Sequence, residues 1–219
     1  MISLRDVQNH PIISQMIYSA NEVLAKRGYT EHGPRHMGYV CKTAGDILAK
    51  LDYPARMVEL ARIAGWVHDV GNCINRTNHG LTGATLIVPI LSGMGMPIDE
   101  VCAIASAVGN HEEQNGIPVS EISAALIIAD KADAHRTRVR RGQYNPNEIH
   151  DRVNYSISHN WIEVEKDARI IHFGITMDST SSYTDFLDIY MSRMRMCEDA
   201  AKLLGCKFQI DVNGAKMNN

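Results

Sequence analysis

The sequence has no CxxC pair, no long apolar run and no marked excess of one charge. Its five cysteines, an odd number, fall at positions 41, 73, 102, 197 and 206. That spacing argues against a disulfide framework and a cysteine zinc knuckle, and for reduced thiols in a cytoplasm. No apolar stretch approaches the roughly 20 residues that a membrane-spanning helix needs. The opening residues, MISLRDVQNHP, lack a basic segment followed by an apolar one, so no secretory signal is expected. A formal charge of −3 argues against a generally basic nucleic-acid binder. Internal repeats and low-complexity tracts are absent as well. The remainder is ordinary globular composition, with 45% hydrophobic and 21% charged residues over 219 positions, enough to bury a core without covalent staples. What stands out is histidine, of which there are ten.

Up to about residue 142 the apolar positions repeat with helical spacing. Stripes begin at Ile12, Met37, Met57, Ala84, Val101 and Ile122, and Gly28 reads as a C-terminal stop for the first. Pro34, Pro54 and Pro97 suit helix openings, whereas Pro89 lies inside a stripe and predicts a kink or an early end. After Gly142 the character changes. The segments VNYSIS, NWIEVE and ARIIHFGITM have the β-branched and aromatic content of strands, 183–204 reads as a helix, CKFQIDV as a last strand, and AKMNN as a frayed end. The expected fold is mainly α: a helical body over 1–142 followed by a small α+β appendage over 143–219.

Within the body, side chains able to bind metal recur near predicted helix ends: His36, the adjacent pair His68 and Asp69, His79, His111 and Asp130. Imidazole nitrogen with carboxylate oxygen suits iron, manganese, zinc or nickel, and magnesium less well. The pair in WVHDVG ends an apolar helix, where a buried histidine beside a buried aspartate is costly unless paired or metal-bound. A carboxylate has two oxygens, so Asp69 can bridge two metals, an arrangement able to clamp phosphate oxygens. His32, one turn before His36, is an alternative for the first position.

These segments, taken in order as HMGYV (36–40), WVHDVG, HGLTGATL, NHEEQNGIP and ADKADA, resemble the motif series of the HD superfamily of metal-dependent phosphohydrolases. The resemblance covers roughly residues 30–140. The patterns at 79–84 and 111–118 look nearest to the HD-GYP branch. Three positions depart from that branch: Asn72 stands where it usually has lysine, Asn110–His111 where it has two histidines, and GIP where it has GYP. Cyclic di-GMP specificity is therefore not implied. The resemblance implies an HD-type helical bundle in which His36, His68, Asp69 and Asp130 hold one metal. Asp69 bridges to a second, held by His79 and His111, and a metal-activated hydroxide attacks phosphorus.

Around this set, Lys131 and Arg76 are candidates for substrate phosphate, and Asp133 for orienting a ligand from behind. The arginine run at 136–141 reads more readily as a solvated helix end than as a phosphate clamp, and His10, His135, His150, His159 and His172 as surface or tail residues. The expected function is hydrolysis of a phosphoester of a small phosphorylated substrate, a nucleotide for preference, using one or two divalent transition metals in the cytoplasm. A metal- and nucleotide-binding sensor of weak activity, or a di-iron oxygenase, are the alternatives. No membrane or nucleic-acid partner is expected, and the appendage offers a route to a homodimer.

Overall fold

The structure, a computed structural model, describes residues 1–218. Its elements run α1 (Leu4–Gln8), α2 (Pro11–Lys26), α3 (Pro34–Lys50), α4 (Ala55–Val67), a 3-10 turn (Val70–Cys73), α5 (His79–Gly93), α6 (Ile98–Gly109), α7 (Glu121–Lys131), a second 3-10 turn (Arg136–Arg138), α8 (Ile149–Ser156), β1 (Ile157–Glu165), β2 (Ile170–Met177), α9 (Tyr183–Leu203), β3 (Lys207–Val212) and β4 (Ala215–Lys216). The fold is mainly α with a small C-terminal sheet, as the apolar spacing and the later β-branched segments predict. No helix among the described residues is long and apolar enough to cross a membrane.

The centre of the body is α7. Every residue from Ile122 to Ala129 is buried, so this helix is apolar all round rather than striped. It packs against α3, α4, α6 and α9. Its polar end, Asp130 and Lys131, therefore emerges at the end of the core and not on an open surface. The pair α3 and α4 is the tightest in the body, because Gly65 presents no side chain: a Cβ there would sit 2.8 Å from the Cα and N of Cys41. That close approach sets the height of His68, three residues further on.

Strand order in the sheet is β1-β2-β3-β4. The pair β1–β2 is antiparallel, β2–β3 is parallel and joined through α9, and β3–β4 is an antiparallel hairpin turning at Asn213 and Gly214, both with positive φ. Helix α9, with Phe186, Tyr190, Met194 and Cys197 buried, packs mainly on α7 and also on β3 and α8.

Several local expectations are corrected. Helix α1 was not legible as a periodic stripe, being only five residues closed by a Ser3–Asp6 capping box. Pro89 does not end α5, which continues to Gly93: its ring lies on the exposed face, where water can meet the carbonyl it leaves unbonded. Val153–Ser156, read as strand, is the end of α8, where Glu148 caps the first turn and Val153 faces the core. Ala215 and Lys216, read as frayed, pair with β3; the remainder of that expectation at residue 219 lies outside the described residues.

Gly65→Ala is expected to destabilise the fold by about 1–3 kcal/mol, the range for an overpacked core position, since the nearest atoms are backbone. Urea denaturation of the variant checks it, and unchanged stability would show that α3 and α4 can separate freely.

Candidate metal centre

Four imidazoles meet at one end of the body, each pinned from behind by its Nδ1. His68 caps the end of α4 and donates Nδ1–H to the Gly65 carbonyl at 3.0 Å. His111, just past the end of α6, donates to Val108 O at 2.6 Å. His79, which opens α5, donates to Arg76 O at 3.0 Å, and Glu112 Oε1 lies against the same nitrogen while accepting the His79 backbone N–H at 2.9 Å. His36, in the first turn of α3, faces Asp133 Oδ2 at 2.6 Å. With Nδ1 holding the proton in His68, His79 and His111, the neutral ring presents a lone pair on Nε2, whereas His36 Nδ1 meets both Asp133 and Arg138 Nη1.

Those Nε2 atoms converge. His36 and His68 approach to 3.2 Å, and His79 and His111 to 3.0 Å. Two bare lone pairs at such distances would repel, so each pair must share either a proton or a metal ion between its nitrogens. Asp69 lies between the pairs, with Oδ1 at 2.9 Å from His79 Nε2 and 3.7 Å from His111 Nε2, and Oδ2 at 3.5 Å from His68 Nε2 and 3.7 Å from His36 Nε2. Asp130 Oδ1 adds a further oxygen, 3.3 Å from His36 Nε2 and 3.6 Å from His68 Nε2. His36, His68 and Asp130 can each offer one ligand atom within 4.8 Å of the others, as can His68, Asp69 and His111. This buried, mixed nitrogen and oxygen donor set fits a divalent transition metal.

Glycine makes the second pair possible. A Cβ on Gly80 would stand 2.9 Å from Val108 O and 3.2 Å from the His111 ring, so only glycine lets the start of α5 close over the end of α6. Asn72, at the position where the resemblance expects lysine, donates Nδ2–H to Asp69 Oδ1 at 2.9 Å and to the Asp69 carbonyl at 3.0 Å. It fixes the carboxylate's rotation.

Burial opposes every charge here, and the neighbours decide the outcome. Asp69 is held well below the usual carboxylate range by His68, His111 and His79, and Asp130 by Lys131, His36 and His68. Burial disfavours protonation of His79, but Asp69 and Glu112 outweigh it and raise the ring to about 9. For His111 burial prevails over Asp69 and lowers the ring to about 4. His68 is raised despite burial, through Asp69 and Asp130. The centre thus holds protons among its imidazoles, and a metal must displace them.

The structure brings His36, His68, Asp69, His79, His111 and Asp130 into one cluster. His32 stays outside it, with Nδ1 bonded to Thr30 O at 2.7 Å and Nε2 met by Arg138 Nη2 at 3.1 Å. Asp133 stands behind His36 and also accepts from Arg35 Nη2 at 2.5 Å and Arg138 Nη1 at 2.9 Å; its Oδ1 is buried without a partner. Lys131 is buried between Asp130 Oδ2 at 2.6 Å and Glu113 Oε1 at 3.1 Å. Arg76 reaches Asn72 Oδ1 and His79 Nε2, each at 3.4 Å.

The cluster floors a recess of about 40 Å³ lined by Asp69, His79, Asp130, Arg76 and Arg193 among others, and next to it opens a cavity of about 590 Å³. Most of the arginine run is not a solvated helix end: Arg136 pairs with Asp178, Arg138 is buried on Asp133, and Arg140 bonds to Asn21, Tyr29 and Thr30, whereas Arg141 is exposed as expected. His150, read as a surface residue, is exposed but lines the large cavity. Sequence reasoning passed over Glu112, Glu113, Arg35 and Arg193. The first two are adjacent to His111 and could have been found there, and Arg35 adjoins His36. Nothing in the charged face of α9 marks Arg193.

Residues 35–137 match the family model of the HD domain. Among solved structures, a predicted HD superfamily hydrolase from an uncultured Thermotogales bacterium is similar, at 22% identity and a TM-score of 0.45, covering 57% of this chain and 67% of that one. No curated protein matches the chain.

Two outcomes are expected. Asp133→Asn should weaken metal binding about 10- to 100-fold, the usual cost of removing a carboxylate behind a histidine ligand; titration with a competing chelator measures it, and unchanged affinity would detach Asp133 from the centre. For metal-free protein the pH dependence has a definite sign. His111 titrates at about 4 folded against 6.5 unfolded, so the unfolded chain binds more protons in that window and stability rises with pH. His79 titrates at about 9 folded, so the folded chain binds more protons between 6.5 and 9, and stability falls as pH rises. These two histidines place the optimum near pH 6.5, and thermal melts from pH 4 to 9 should fall on both sides of it. A melting temperature still climbing from pH 6.5 to 9 would contradict this.

Proposed function

We propose that this chain is a metal-dependent hydrolase of the HD type that cleaves a phosphoester of a small phosphorylated substrate, with a nucleotide the favoured class. One observation carries the reading: four imidazole Nε2 atoms and two aspartates converge, with Asp69 turning one oxygen to each histidine pair, on the floor of a recess that arginines also line. The HD domain match over 35–137 supports a metal-dependent hydrolase. The phosphate is inferred from the guanidinium groups beside the cluster.

His36, His68, Asp69 and Asp130 would hold one ion, and Asp69, His79 and His111 a second. When bound, such ions supply Lewis acidity toward phosphoryl oxygens and an activated water at neutral pH. The chain's own groups do the rest. Asn72 and the Nδ1 anchors hold the donors in place, so no reorganisation is needed as charge develops. Arg76 offers a guanidinium beside His79, matched in shape to phosphate. Lys131 neutralises Asp130 and keeps its outer oxygen turned away from the imidazoles. The large cavity accommodates the organic part of the substrate, and its volume lies within the range of small-molecule sites.

Elemental analysis of protein purified without a histidine tag, followed by a phosphatase panel with the same metal restored, tests the proposal. The expected result is one or two divalent transition ions per chain and phosphate release from at least one nucleotide, with both falling to background in Asp69→Ala. Wild-type turnover in a metal-stripped Asp69→Ala protein would overturn it. So would metal binding with no phosphate released from any phosphoester offered.

A further inference from the structure

Three arginines line the recess, and they are not equivalent. Arg138 is committed: it serves Asp133 through Nη1, and His32 and Thr30 through Nη2. Among the described residues, the Arg76 side chain makes only two long hydrogen bonds, each at 3.4 Å through one terminal nitrogen, and its guanidinium carbon lies 5.6 Å from the centroid of the Tyr29 ring. Arg193 comes from a different element, α9, more than fifty residues beyond the end of the HD match. Its ion pair runs through Nε, to Glu113 Oε1 at 3.4 Å. A further partner is Tyr190. The guanidinium carbon lies 4.9 Å from the centroid of the Tyr190 ring, and Tyr190 is itself buried against the core.

We infer that Arg193 and Arg76 form a two-sided guanidinium clamp for a terminal phosphate, so that α9 of the appendage completes the site. This rests on the phosphohydrolase reading above. The plane of Arg193 is fixed on one side by the Tyr190 ring and on its Nε edge by Glu113. Glu113 is in turn fixed by Lys131, which bonds to Asp130 of the cluster. A guanidinium held in this way loses little entropy when it meets an anion, and two of them match the fork geometry of phosphate. The recess of about 40 Å³ has room for roughly one water-sized group beside the carboxylates. The phosphoryl group therefore sits at its mouth, where both arginines reach, and the organic group extends into the large cavity, which both also line. A clamp closing on an end group from two sides suits a dianionic phosphomonoester better than the single charge of a diester.

The test uses full-length, metal-loaded protein and inorganic phosphate as the probe, with binding measured by calorimetry. Arg193→Gln should weaken phosphate binding about 10- to 100-fold, the range for losing a charge-assisted hydrogen bond, at unchanged metal content. Arg193→Lys should recover part of the loss, and Arg195→Gln, at an exposed position on the same helix, should bind phosphate as wild type does. With p-nitrophenyl phosphate as substrate, Arg193→Gln should raise KM more than it lowers kcat, a split that loosened packing alone would not produce. Phosphate affinity equal to wild type in Arg193→Gln, at equal metal content and melting temperature, would overturn the clamp even if the enzyme hydrolyses phosphoesters. Phosphate binding that depends on Arg193 in a protein that hydrolyses none would retain the clamp and remove the hydrolase reading. Should Arg193→Gln fail to fold, the binding ratio of Arg193→Lys to wild type decides, and no change there counts against the clamp.

Discussion

A buried imidazole can offer a lone pair in a chosen direction only if the proton on its other nitrogen has a fixed acceptor. That constraint organises this fold. His68, His79 and His111 each meet it by returning Nδ1–H to the carbonyl three residues earlier, at Gly65, Arg76 and Val108. For His68 and His111 those carbonyls lie in the last turn of α4 and α6, where the helix has no further N–H to offer them. The end of each helix thus supplies an acceptor that would otherwise need water, and the histidine supplies the donor. The helices must then finish at a common point, and the close approaches at Gly65 and Gly80 let them.

His36 stands at the opposite end of its helix and cannot use this device, because the first turn of α3 has spare donors rather than spare acceptors. It takes a carboxylate instead. Asp133 in that role brings a buried charge, which would be expensive alone. Arg35 and Arg138 offset it, and Arg138 is in turn held by His32 and Thr30. One exception to the backbone rule therefore explains a whole ionic cluster, including a histidine that looked in sequence like a competing ligand. The unpartnered Asp133 Oδ1 is the one buried oxygen this cluster leaves over.

The helical body was legible because its apolar stripes have clean spacing and prolines mark three of its openings. The chemistry-bearing residues were legible because each lies within a few positions of a helix end, which sequence marks well. What could not be read was direction. Pro89 looked disruptive because periodicity does not say which face meets solvent. VNYSIS looked like strand because β-branched content does not register the Glu148 cap that starts α8. The arginines at 136–140 looked solvated because most of their partners, Asp178, Thr30 and Asn21, come from distant parts of the chain. Local signals locate a residue along the chain, and only packing decides what it faces.

Arg193 is the extreme case of that limit. It sits on a helix whose sequence reports only an apolar stripe and charged intervals, and it reaches the recess because α9 packs on α7. The same α7 carries Asp130 and Lys131 at its end, so one helix is shared between the metal cluster and the appendage. Lys131 and Glu113 then join the two as a chain of ion pairs from Asp130 to Arg193. Displacing α9 would withdraw the partner of Glu113, weaken the hold on Lys131, and leave Asp130 with less of the positive charge that keeps it ionised despite burial. The appendage is therefore coupled to the charge balance of the cluster as well as to the shape of the cavity. A change in how the sheet and α9 sit would register at the carboxylate that faces His36 and His68.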